Sequence, residues 1–518
     1  MAKAGSWTTR LPGYFRRCCI LACAAILVVI GLVYWYKLQP KRVYRKHANV
    51  ASKEFQYITR RIDFHFSANP WLGKKEAEQD LDELEWLLEN RYSYLKLKGV
   101  DYKAALDTIR SALGDGISRG ALALQLMKFI ALFGDGHSGV GDPNLNRMCP
   151  GFLPFLIGES EGRLVAFKAD RSSFLDEQHP FLCRIDGIEL DRWLVVAHRI
   201  VAKGSNQYVR LRSVRNLRYI QYLRKELGLK VSHVAEVELE SADGHSRRTV
   251  EVPVADEFPL YGPWPRTQSR ILPGNIGYLR IPDWMSNEAE FLDELVRYMR
   301  EFRGTEGLII DIRGIGGGSR APLRTLFPFF MADDESPKVQ NVAAYKLGHR
   351  VNILDARWLY PAERAHWTAA EKRSIEKISK VFEPEWRPPV DEFSRWHYFV
   401  INPNRDQGTY HYDRPVFILM SRTNFSASDI FLGAFKNRRN VTLIGTPSGG
   451  GSGRYQNYRL HNSLISIRLS SMASFQPNGK LYDGNGIQPD VVIEPIPTDF
   501  IGKTDTVLDA AISYIGHK

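Results

Sequence analysis

The sequence predicts an α/β protein with a layered core, and three observations lead there. From Gly274 onward, strand and helix patterns alternate: GNIGYLRI, NEAEFLDELVRYMREF, GLIIDIR, RPVFILM and VTLIG follow one another, with helical or glycine-rich stretches between them. Several of these strands are apolar runs, as buried strands are. Upstream, apolar residues recur at helical spacing in one block and alternate with polar ones in the next, so a helical region and a β-rich region precede the core.

Taken in order, residues 1–17 form a basic segment. Cys18 to Tyr36 (CCILACAAILVVIGLVYWY) is an uncharged run of 19 residues, long enough to approach the span of a bilayer's hydrocarbon core. Arg16 and Arg17 precede it, and Tyr34, Trp35 and Tyr36 close it as interfacial residues do,. No small-residue cleavage pattern follows, so the expectation is an uncleaved single-pass anchor with the large domain outside the cytoplasm, in a bacterial periplasm or cell envelope. Residues 37–73 are a charged connector. Residues 74–148 are the helical region: EAEQDLDELEWLLENRYSYL and ALALQLMKFIALF carry helical spacing, and Gly134 supplies a helix stop,. Residues 149–257 read as strands, with VAEVELESADGHSRRTVEVPV a hairpin about an Asp-Gly turn,. The core spans 273–497, interrupted at 333–406 by an aromatic, charged segment read as an insertion over the core. Residues 498–518 supply a C-terminal helix.

The chain has 518 residues, 44% of them hydrophobic and 25% charged, which is a globular composition,. Net charge is +12, but the Lys and Arg residues are scattered, with no zinc-ligand or phosphate-loop spacing, so no nucleic-acid partner, metal or cofactor is expected. Three of the five cysteines lie in the apolar run. Cys149 and Cys183 remain, either paired or as separate buried thiols.

DGHS occurs twice, as Asp135–Ser138 and Asp243–Ser246. The second lies at a hairpin turn, where the four residues are what a turn needs. The first, in LFGDGHSGV, follows a helix end and offers His137 as a general base. In RPVFILMSRTNFSASDIF a strand gives way to a helix near Ser426. A serine there lies beside unpaired N–H groups, while Ser426 to Asp429 also fits a capping box. The glycines after IDIR let backbone N–H groups approach a carbonyl. Asp483, in LYDGNGIQPD, is either a turn residue or a carboxylate that orients an imidazole.

Together GNIGYLRI, LIIDIRGIGGG, SASDIF, IGTPSGGG and GNGIQPDVVIEP resemble the C-terminal processing (tail-specific) protease family of serine peptidases over roughly 76–497. The resemblance implies a crotonase-like ββα core. It also implies Ser426 as nucleophile, with the N–H groups of Ala427 and of Gly316 or Gly317 as oxyanion hole. The Ser–Lys branch of that family keeps a lysine in the segment that here reads Gly445-Thr-Pro-Ser-Gly-Gly-Gly451, and glycine stands in its place. Lys436 is ten residues into the helix, about 15 Å along its axis, and is too far to serve. The tricorn-like branch uses a histidine instead, which points to His137 as base and Asp483 as supporting acid. A PDZ-like module is recognisable only in CRIDGIEL. The resemblance implies a protein or peptide substrate, no cofactor, and self-association into pairs or rings. Two other readings stay open: a non-catalytic peptide or lipophilic-ligand binder on the same fold, and an esterase.

Overall fold

The computed structural model describes residues 70–516, apart from 142–149, 202–203, 263, 282–288, 349–353, 355–356 and 404–408. The apolar run 18–36 and Cys149 lie outside the described residues. Among the described residues no helix is long and apolar enough to cross a membrane.

The N-terminal block is helical, as its spacing predicts. Strand β1 (Trp71–Gly73) leads into helix α1 (Lys74–Arg91); a single turn at Leu95–Lys98, helix α2 (Tyr102–Ser111), strand β2 (Gly116–Ser118) and helix α3 (Arg119–Ala131) follow. Leu81, Leu84 and Leu88 of α1 pack on Leu122, Leu126 and Phe129 of α3. Gly134 takes a φ of 65° after α3, a left-handed conformation open to glycine at little cost. The chain then turns through the first DGHS into strand β3 (Gly139–Gly141).

The next block departs from the all-strand expectation. Strands β4 (Phe155–Ser160), β5 (Arg163–Lys168) and β6 (Phe181–Ile185) are followed by helices α4 (Leu190–His198), α5 (Asn206–Asn216) and α6 (Ile220–Glu226), and only then by the hairpin β7 (Val234–Glu240) and β8 (Arg247–Pro253). The sheet runs β4-β5-β6-β7-β8. The helices bury Trp193, Val214 and Leu223 against one of its faces. Their many arginines hide the helical period in the sequence: α5 reads NQYVRLRSVRN and buries only Ser213 and Val214.

In the core, strands β9 (Arg270–Leu272) and β10 (Ile276–Arg280) precede helix α7 (Ala289–Glu301), strand β11 (Gly307–Asp311) and helix α8 (Ala321–Leu326). Strand β12 (Lys338–Tyr345), helix α9 (Ala369–Val381) and strand β13 (His397–Ile401) come next. Strand β14 (Val416–Met420), helix α10 (Ala427–Phe435) and strand β15 (Val441–Gly445) carry the chain on. Strands β16 (Tyr455–Arg459), β17 (Ser466–Ser470), β18 (Met472–Phe475) and β19 (Val491–Val492) and helix α11 (Thr506–Gly516) complete it. The central sheet has the order β9-β10-β11-β14-β15-β19, parallel except for β9 against β10. Its inner strands β11, β14 and β15 are mostly apolar because both faces are covered,. Leu308 and Ile310 of β11 face α7 and α10, while Ile309, on the opposite side of the pleat, packs with Leu508, Ala511 and Ile515 of α11. The architecture is the layered α/β core that the sequence predicts.

The segment 333–406 packs on this core, with Ala343, Leu354, Leu359, Phe399 and Ile401 in the same buried cluster as Leu308 and Ile430, and it is also built into a second sheet. Its strands β12, β13 and the short Tyr360–Pro361 join β18 in a four-stranded antiparallel sheet. Val342 pairs with Phe475 and Tyr345 with Met472. Residues from 338 to 401 therefore complete a sheet with residues near 472. Sequence reading missed this because the partner strand lies over 100 residues later.

Candidate active site

Helix α10 is anchored by Ile430, Phe431 and Phe435, all buried in the main cluster. Burial of side chains of this size stabilises by about 1.5–3 kcal/mol each, so the helix start is fixed. Ser426 sits at its N-cap with φ 62° and ψ −115°, a backbone conformation that costs a non-glycine residue on the order of 1–3 kcal/mol. The turn is held from both sides. Buried Asn424 donates to the carbonyls of Ile312 (2.6 Å) and Ile315 (3.2 Å), and its Oδ1 accepts from the Ser421 N–H at 2.7 Å. The Gly449 N–H donates to the Asn424 carbonyl at 2.6 Å.

The Ser426 hydroxyl makes no capping bond; it lies 2.9 Å from Nε2 of His137. Two residues 289 positions apart are thus in hydrogen-bond contact. Asp429, the other end of the capping pattern, instead accepts from Ser448 Oγ (2.5 Å) and from the Gly450 and Gly451 N–H groups (3.2 and 3.0 Å). It ties α10 to the IGTPSGGG loop, and desolvation pushes its pKa up to about 7 against those donors.

His137 is held by its own motif. Asp135 is fully buried; its Oδ1 accepts the His137 N–H at 3.0 Å and its Oδ2 accepts Ser138 Oγ at 2.6 Å. Ser138 in turn accepts the Ser470 N–H at 3.2 Å. The imidazole stacks on Phe425, centroids 4.6 Å apart, and Tyr208 of α5 stacks on the other face of Phe425, also at 4.6 Å. Helix α5 is seated by Ser205 Oγ on the Gly449 carbonyl (2.5 Å) and Gln207 Nε2 on the Ser448 carbonyl (2.7 Å). Burial lowers the His137 pKa to about 4; the charges of Arg357 and Arg468 push the same way, and Asp135 opposes them. The ring is therefore neutral at pH 7, the form a base needs.

Asp483 does not reach the imidazole. Its Oδ2 accepts from Lys98 at 2.6 Å, and Lys98 also donates to the Gly134 carbonyl at 3.0 Å. The Gly136 N–H lies near the same carboxylate; desolvation, and then the neighbouring Asp135, raise its pKa to about 7. The contact at His137 Nδ1 is the Gly453 N–H, at a long 3.4 Å,. The expected carboxylate on the imidazole is thus replaced by a brace behind it: Asp483 and Lys98 grip the turn that carries His137. Lys98 and Asp135 were missed in the sequence. Asp135 had a signal, since an Asp two residues before a His can accept its N–H; Lys98 had none.

The glycines separate clearly. Gly317, at φ 100°, leaves no room for a side chain: a Cβ there would press on the Phe425 carbonyl oxygen and stand 2.7 Å from Ser426 Cβ and 3.0 Å from the Ala427 nitrogen. Gly316 faces open space. Among the described residues, the N–H groups of Ala427, Gly316 and Gly317 have no protein acceptor. Gly451, at the lysine position of the Ser–Lys branch, would place a Cβ 2.5 Å from Phe425 Cε2. The ring that stacks on His137 fills the space a lysine would occupy. Lys436 is turned away onto Asp490 and the Gln488 carbonyl.

Residues 275–493 match the model for peptidase family S41. Over this region the chain is similar to peptidase family S41. The carboxy-terminal-processing protease of Bartonella bacilliformis is 34% identical over 96 residues, 18% of this chain and 22% of that protein. The tricorn protease homolog of Saccharolobus solfataricus is 25% identical over 280 residues, 52% of this chain and 20% of its own length. The matched stretches thus span about a fifth of each relative. Among solved structures, mature CPAF superposes with a TM-score of 0.61 at 18% identity, covering 86% of this chain and 98% of that one, a likeness of fold. The matched region contains Ser426, both glycines and Asp483, while His137 and Lys98 come from the helical block before it.

Proposed function

We propose that this chain is a serine peptidase in which Ser426 is the nucleophile and His137 the general base. The observation that carries the reading is the 2.9 Å contact between Ser426 Oγ and His137 Nε2, made by residues of separate blocks at the mouth of a helix N-terminus. Oγ attacks the peptide carbonyl carbon while its proton passes to Nε2. That transfer needs the neutral ring's proton on Nδ1, at the expense only of the long Gly453 contact. The oxyanion is received by the N–H of Ala427 and one from Gly316 or Gly317. The C–N bond then breaks and the leaving amine takes the proton from Nε2. Water attacks the acyl ester, giving its proton to Nε2; the ester C–O bond breaks and Oγ recovers the proton. The field of Asp135 stabilises the imidazolium in both halves, and Asp483 acts through Lys98 and the 134–136 backbone as a positioning residue.

The run 18–36 supports a membrane tether with the catalytic part outside the cytoplasm. The test of activity is hydrolysis of a peptide library by the purified protein, read as new amino termini, beside Ser426→Ala. The reading requires cleavage that the variant abolishes. A folded native protein that binds peptides without cutting them would restore the binding-protein alternative.

A further inference from the structure

Three arginines converge beside the catalytic pair with no described acid to neutralise them. Arg357 donates to the Gly318 carbonyl at 2.7 Å, at the end of the oxyanion turn. Arg320, only 2% exposed, donates to the Arg357 carbonyl at 3.3 Å, and its Nε finds no partner. Arg468 lies opposite Gly139 in the β17–β3 pairing, two residues beyond His137. Its guanidinium stands over Tyr455 at 5.4 Å with a buried, unpartnered Nε, and the Tyr455 ring is 6.4 Å from that of His137. Among the described residues, no carboxylate lies within salt-bridge distance of any of the three. Some buried arginines elsewhere meet acids, Arg280 and Arg313 on Asp311 and Arg224 on Asp186, while Arg171 and Arg218 donate to backbone carbonyls and stack on aromatic rings, away from the Ser426 site. Gathering guanidinium groups in a half-buried place without counter-charge is costly, and guanidinium forks fit carboxylates in particular.

We infer that Arg357 and Arg468 form a carboxylate-binding subsite beside Ser426, backed by Arg320, so that the bond cut lies next to an acidic residue of the peptide. This rests on the peptidase reading and names its substrate class. Burial chiefly lowers the His137 pKa, and the charges of Arg357 and Arg468 add to it; a bound carboxylate would offset that added part, making the base stronger when substrate is present. The competing account is that the arginines only stack on Tyr455 and, for Arg320, on Phe399 at 5.3 Å.

The test uses peptides identical except for Glu or Gln at one position, scanned through each position, with free or amidated C-termini. Binding to full-length Ser426→Ala is measured by fluorescence polarisation, and kcat/KM is measured on the native chain. The expected result is a Glu-over-Gln preference of at least about tenfold at one position, screened by salt. Arg468→Gln reduces that ratio toward one and Arg468→Lys keeps part of it, with melting temperatures confirming that both variants fold. A preference that follows the free terminus identifies the terminal carboxylate as the group bound. Equal binding of the Glu and Gln peptides at every position, with either terminus, overturns the subsite, whether or not they are cut. Acidic preference in binding without any cleavage leaves the subsite standing and sinks the peptidase reading instead.

Discussion

The two DGHS turns share a sequence and one hydrogen bond, and differ in everything around it. Asp135 Oδ1 accepts the His137 N–H at 3.0 Å, and Asp243 Oδ1 accepts the His245 N–H at 3.0 Å. The first turn is buried between β17 and α10, and its histidine meets Ser426. The second is an exposed hairpin tip. Its serine nevertheless belongs to a geometrically complete triad: Ser246 Oγ lies 2.9 Å from His179 Nε2, and His179 Nδ1 lies 2.9 Å from Asp176 Oδ1. What the second place lacks is donors. The N–H groups of Gly244, His245 and Ser246 are spent on Ser241 O, Asp243 Oδ1 and Ser241 Oγ. At Ser426 the helix start and the glycine turn leave N–H groups unused. The comparison separates the two Ser–His contacts by one feature: among the described residues, the Ser426 contact has unused N–H groups beside it where an oxyanion can be received, and the Ser246 contact does not.

The largest expected effect separates the two serines. Ser426→Ala and His137→Ala lower kcat on any cleaved peptide by a factor on the order of 10⁴ or more, while Ser246→Ala and His179→Ala stay within about twofold of native. Comparable losses at both places would mean that the hairpin triad contributes to the chemistry. Next comes the oxyanion turn. Gly317→Ala forces a Cβ against the Phe425 carbonyl and Ser426 and is expected to lose about 10²–10³ in kcat, whereas Gly316→Ala, facing open space, loses far less. Similar kinetics for both would remove Gly317 from the oxyanion turn.

The shared Asx turn supplies a stability comparison. Asp135→Ala leaves the His137 N–H and the Ser138 hydroxyl without a buried acceptor, a loss of about 1–3 kcal/mol measurable by denaturant unfolding. Asp243→Ala, in solvent, changes stability by about 0.5 kcal/mol or less. The smallest effect is on pH dependence. His137 has a lowered pKa, so the protein keeps its base neutral until pH falls to about 4, and the acid limb of kcat/KM lies there rather than near the ordinary histidine value of about 6.5. Folding stability follows the same sign: the contribution is present above about 6.5 and is lost as pH falls toward 4. Arg468→Gln removes a positive charge and moves the limb upward. A limb near 6.5 in the native protein would contradict the buried, neutral imidazole.

Much of this was legible in the sequence where the signal is local. The apolar strands GLIIDIR and RPVFILM, the helix after Ser426 and the hairpin about Asp243 read directly, because strand burial, helix caps and Asp-Gly turns leave short-range marks. The hairpin position of the second DGHS was also legible, which left the first as the candidate. The role given to Asp483 did not come through: a brace through Lys98, 385 positions away, has no sequence signature. Helices α4 to α6 were hidden by their arginine-rich faces, and the sheet shared by 338–401 and 472–475 by its long-range pairing. The gap left by the missing lysine is filled by Phe425, a residue with no local mark to single it out.

The most direct test of the account is to label the native protein with a fluorophosphonate probe and map the adduct by tryptic mass spectrometry, beside Ser426→Ala and His137→Ala. The account predicts one adduct, on Ser426, absent from the serine variant and strongly reduced in the histidine variant, with Ser246 unmodified. An adduct on Ser246, or labelling of Ser426 undiminished without His137, would contradict it.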